Sequence, residues 1–128
     1  MKILIAAVVL LAAVPAFAHH SFAAEFDATA CRDFTGTLTK IDWQNPHGYF
    51  YMDVKDANGK VESWSFQTYA LITLRRAGTS LQLFKDNIGK DVWVRGCLAK
   101  TGKEHYAAAG SLKFASDGVV RQMGQLQD

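Results

Sequence analysis

The chain has 128 residues, 49% of them hydrophobic and 12% aromatic, with two cysteines and a formal net charge of +2. That length suits one domain, and no repeat, low-complexity tract or linker divides it. Without a cluster of basic residues, nucleic acid and anionic lipid are excluded as expected partners, because both are captured by concentrated positive charge.

The first segment reads as a leader. Lys2 supplies a positive start, Ile3 to Val14 form an unbroken apolar run, Pro15 ends it, and Ala16 and Ala18 fit an A-x-A cleavage site. Residues 1–18 are expected to be a secretory signal peptide, with residues 19–128 the single mature domain. The run falls short of the roughly 20 apolar residues that span a bilayer, so no stable membrane anchor is expected after cleavage. In a bacterium this export leads to the periplasm. Cys31 and Cys97 would then sit in an oxidising compartment, where an even count favours one disulfide. They lie too far apart in sequence for a C-x-x-C redox pair; free thiols or a thiolate metal site are the alternative.

Residues 19–33 read as an extended N-terminal tail. Residues 34–43 alternate as a first strand, with Thr35, Thr37 and Thr39 on one face, and the register slips near Lys40, as at a β-bulge. Q-N-P-H-G (44–48) is a turn, followed by a second strand over 49–55 with Phe50, Met52 and Val54 inward. D-A-N-G (56–59) predicts a hairpin into a third strand over 60–67 carrying Trp64 and Phe66. From Thr68 the spacing turns helical, and Gly78 is a natural stop for a helix of two to three turns. Leu81, Leu83 and Phe84 are expected to pack beneath the following loop. Residues 89–98 and 106–115 give the fourth and fifth strands, and Val119–Met123 a short final one.

Three strands, a helix and two more strands follow the order of the OB-fold. The expected class is therefore mainly β: a small OB-like, five- to six-stranded antiparallel Greek-key barrel with one short helix between strands 3 and 4. In that topology strands 1 and 4 are antiparallel, which brings the segment after Cys31 close to Cys97.

The chemistry lies with the four histidines. Cleavage after Ala18 would free the α-amine of His19, and that amine with the ring Nδ1 chelates a metal ion. One more imidazole would complete a nitrogen-rich, roughly T-shaped set that suits Cu(II). His20 is adjacent; His47 in the N-P-H turn and His105 in the hairpin after strand 4 are the distant candidates. Cleavage after Ala16 would instead place histidine third, another Cu(II) chelator. Ligand stacking needs aromatics on one sheet face, and Trp43, Tyr49 and Tyr51 are candidates for a ligand face; core packing or an ordinary sheet surface explains the same residues. No nucleophile elbow, phosphate-cradling loop or carboxylate pair points to an enzyme. Copper binding and a non-metal binding module for a protein, peptide or small ligand are the two readings, with copper-dependent oxidation a third.

A-H-H-S-F after the leader, G-T-L-T-K-I-D-W-Q-N-P-H, D-A-N-G-K-V-E-S-W, L-T-L-R-R-A-G and G-K-D-V-W-V-R-G together resemble the bacterial exported domain-of-unknown-function 6152 family. The resemblance implies export and a small β fold, without an activity. His19, His20 and His47 fall in its motifs and His105 does not; Gln67 stands where the resemblance implies an acidic residue. For the tail to reach His47, its twelve residues must run back along the barrel, within an extended reach of roughly 40 Å. Phe22 and Phe26 are the candidate anchors for that path.

Overall fold

A computed structural model describes residues 20–100 and 102–125, with side chains from Phe22 onward. The order is α1 (His20–Glu25), β1 (Phe26–Asp42), β2 (Tyr49–Lys55), β3 (Val61–Gln67), α2 (Leu71–Arg76), α3 (Leu81–Asn87), β4 (Asp91–Ala99), β5 (Tyr106–Phe114) and β6 (Val120–Gln122).

The sheet runs β3-β2-β1-β4-β5-β6, and a further β3–β5 pairing closes the first five strands into a barrel. Every pairing is antiparallel except that closing one, where Ser65–Gln67 lie parallel to Tyr106–Ala108. This is the OB order, with β6 added along β5. β1 curls enough to pair with β4 through residues 31–37 and with β2 through 36–42. Two local features permit the curl. The register shifts between Leu38 and Lys40, the expected bulge, and a Cβ at Gly36 would collide with the Asp53 carbonyl.

Alternation supplies the core. Phe34 and Leu38 of β1, Phe50 and Met52 of β2, Trp64 and Phe66 of β3, Val92 and Val94 of β4, and Leu112 and Phe114 of β5 are buried. Phe50 and Phe66 stack with ring centres 5.1 Å apart. Burial of each such side chain contributes about 1.5–3 kcal/mol. The 56–59 turn forms as expected: the Asp56 carboxylate accepts from the backbone N–H of Asn58 and Lys60, and Gly59 takes a positive φ of 80°.

Two expectations need correction. Between β3 and β4 there are two short helices instead of one. Gly78, at φ 83°, turns the chain just after α2; the Ser80 hydroxyl then accepts from the N–H of Leu83 and caps a second helix. That helix drives Phe84 against Phe50 and Phe114, plugging one end of the barrel, so Phe84 is core rather than loop packing. Nor is the described part of the expected 19–33 tail extended throughout: His20–Glu25 is helical, and β1 begins at Phe26, well before residue 34. The early start is a tertiary effect. Residues 31–33 pair with 95–97 of β4, and Phe26 pairs with Ala99.

Cys31 and Cys97 face each other in that ladder and form a disulfide, which excludes free thiols or a thiolate metal site at these positions. Among the described residues, no helix is long and apolar enough to cross a membrane.

Candidate functional site

His47 lies in the turn between β1 and β2, which holds the cis Asn45–Pro46 peptide. Its Nδ1 is 2.9 Å from the carbonyl oxygen of Thr68, just past β3. A carbonyl only accepts, so Nδ1 carries the proton and donates; in the neutral ring Nε2 keeps its lone pair. The clamp is reinforced around it. The Thr68 N–H and hydroxyl both donate to the Gly48 carbonyl, and the Thr68 side chain is buried. A Cβ at Gly48 would lie 2.9 Å from the Thr68 hydroxyl oxygen, so only glycine seats the turn this closely. A half-buried imidazole with one nitrogen tied to a backbone carbonyl has the orientation that metal-ligating histidines use.

The N-terminal segment packs on the outer face of the barrel in a cluster separate from the main core. Phe22 packs on Phe26 at 5.3 Å, and Phe26 on Tyr106 at 5.3 Å. Phe22 and Tyr49 belong to the same small cluster around Phe26, Tyr106 and Ala108. Tyr49 is two residues beyond His47. Both sequence-named anchors, Phe22 and Phe26, therefore hold the segment. The same segment is pinned to the β4–β5 hairpin by an ion pair between Glu25 and Lys103 at 3.1 Å, and by the Lys100 ammonium donating to the Ala23 carbonyl.

Gln67 serves beneath this cover. Its side-chain carbonyl accepts from the hydroxyls of Tyr106 at 2.7 Å and Tyr49 at 3.2 Å. The position needs an acceptor, and an amide provides one without a charge. Burial pushes the Tyr106 hydroxyl far above the ordinary tyrosine range, and the neighbouring Glu25 and Tyr49 push in the same direction.

His105 is engaged differently. Its Nε2 is 3.2 Å from a Glu62 carboxylate oxygen, its ring centre lies 5.1 Å from that of Trp64, and its backbone has a positive φ of 52°. His47 and His105 thus have separate partners. Among the described residues, no three of His, Cys, Asp and Glu are grouped to hold a metal. His19 lies outside the described residues, as does the side chain of His20.

The three named aromatics also differ in surroundings. Trp43 packs on Phe84 at 6.1 Å, with the Arg75 guanidinium 6.0 Å from its ring centre. Tyr49 lies in the cluster with Phe22. Tyr51 donates to Asp42 at 3.1 Å and has the Lys40 ammonium 5.0 Å from its ring centre. Burial, then the Asp42 hydrogen bond, raises the Tyr51 hydroxyl above the usual tyrosine range. The Thr68 clamp and the Gln67 acceptor were not visible in the sequence; the change of period at Thr68 is the nearest signal.

A five-strand closed barrel of OB order, with a clamped histidine turn and a segment laid over its outer face, defines a small β-barrel protein. Residues 7–108 match the model of DUF6152, described as a family of unknown function, and the chain belongs to that family. No curated protein and no solved structure matches the chain.

Proposed function

We propose that this is an exported periplasmic protein that binds Cu(II) through its mature N-terminus and the turn histidine His47. The α-amine and ring of His19 supply two nitrogens and Nε2 of His47 a third, a donor set that fits copper. The observation that carries the proposal is the Nδ1–Thr68 hydrogen bond, which fixes the His47 ring and leaves Nε2 available. Phe22 and Tyr49 both pack on the cluster of Phe26, Tyr106 and Ala108, which supports a tail that passes near this turn. His105, engaged with Glu62, suits the role less well, and His20 is the secondary tail ligand. Copper carriage or sensing suits this donor set better than turnover, because it closes on nitrogen atoms without a second reactive group.

Intact mass of the exported protein, followed by Cu(II) titration, tests the reading. It requires a chain that begins at His19 and binds one Cu(II) more tightly than about 1 μM. A chain still carrying residues 1–18, or weaker binding, contradicts it.

A further inference from the structure

At the mouth formed by the last residues of β2, the start of β3 and the middle of β1 lies a cleft of about 350 Å³. Arg32, Phe34, Val54, Lys55, Glu62 and Trp64 line it. This volume is at the small end of the range for ligand pockets, and barrel mouths are favoured places for them.

Its charge arrangement is unusual for a strand end. Arg32 stands two residues before Phe34 and Glu62 two before Trp64, so each shares the strand face that elsewhere fills the core. The Arg32 guanidinium is held 4.8 Å from the Phe34 ring centre and 5.1 Å from that of Trp64. These contacts orient the group before any ligand arrives. The acids around the mouth are all engaged: Asp33 by Arg95 at 3.0 Å, Glu62 by His105 at 3.2 Å, and Asp56 by two backbone N–H groups of its own turn. The cations are not. Among the described residues, neither Arg32 nor Lys55 has a carboxylate partner or donates a side-chain hydrogen bond. Two available cations on different strands, facing one small cleft, match two anionic groups on one small molecule.

We propose that this mouth binds a small organic dicarboxylate, with one acid group on the Arg32 fork and the other on the Lys55 ammonium. A planar guanidinium donates two parallel N–H bonds to a carboxylate, whereas the ammonium acts as a point charge. The site is independent of the His47 turn.

Succinate is the probe, titrated into the full exported protein in the presence of a chelator and followed by NMR of the Trp64 indole N–H. Saturable binding below about 10 mM is expected. Arg32→Gln and Lys55→Gln should each weaken it at least tenfold, Arg32→Lys nearly as much as Arg32→Gln, and Arg121→Gln should leave it unchanged. Acetate and the neutral succinamide should bind at least tenfold more weakly than succinate. Circular dichroism of each variant separates lost binding from lost fold. The proposal is overturned if succinate does not saturate, if succinamide or acetate matches it, or if folded Arg32→Gln and Lys55→Gln proteins bind as the parent does.

Discussion

The Nδ1 of His47 donates to the carbonyl of Thr68, joining the turn before β2 to the residue after β3. Because the Gly48 carbonyl accepts from both the N–H and the hydroxyl of Thr68, turn and strand end form one unit that orients the imidazole.

Gly48→Ala tests that unit. The added Cβ meets the Thr68 hydroxyl at 2.9 Å with Leu71 behind it, so either turn or strand end must shift. Urea unfolding should show a loss of about 1–3 kcal/mol. Long-range ¹⁵N–¹H spectra should show His47 leaving the Nδ1–H tautomer that the parent protein holds. Unchanged stability and tautomer would mean that the turn has slack.

The disulfide holds β1 against β4 where the N-terminal segment joins the barrel. Replacing Cys31 and Cys97 together by serine should lower stability by about 2–4 kcal/mol, read from urea midpoints at constant slope. Equal midpoints would show that β-pairing alone sets the stability of this region.

Phe26 is fully buried between Phe22 and Tyr106 on the outer face. Phe26→Ala should cost about 3–5 kcal/mol and speed amide exchange across residues 22–30. Fast exchange there already in the parent protein would contradict a docked segment.

Alkaline titration reads the Tyr106 environment. Its hydroxyl is raised in the folded state, by burial first and then by Glu25 and Tyr49. A raised folded value means that the contribution is fully present below the ordinary tyrosine value near 10 and is lost as pH rises above it. Phenolate absorbance should therefore show Tyr106 titrating only as the protein unfolds, and Tyr106→Phe should remove that late step. Full titration of all tyrosines in the folded protein would exclude the buried hydrogen bond to Gln67.

Most of the barrel was legible because its signals are local. Alternation marked Phe50, Met52, Trp64 and Phe66, the Asp-Ala-Asn-Gly turn marked the hairpin, and the slip near Lys40 marked the bulge. The front of β1 was not, because residues 26–33 lack clean alternation and become a strand only by pairing with β4. The helix at Leu81–Asn87 was hidden by its shortness, though Ser80 was its cap signal. His47 was legible as a residue type in a turn. Its orientation was not, because it depends on a backbone carbonyl distant in sequence. Arg32 was not legible either, because its meaning comes from sharing a face with Phe34 and lying over Trp64.

The most direct measurement is electron paramagnetic resonance of one equivalent of Cu(II) on the exported protein, compared with its His47→Ala and His105→Ala variants. The parent and His105→Ala should share a tetragonal spectrum with nitrogen splitting from the same set of ligands. His47→Ala should change that spectrum and weaken binding at least tenfold. An unchanged His47→Ala spectrum and affinity, or the same losses in His105→Ala instead, would contradict copper binding at the His47 turn.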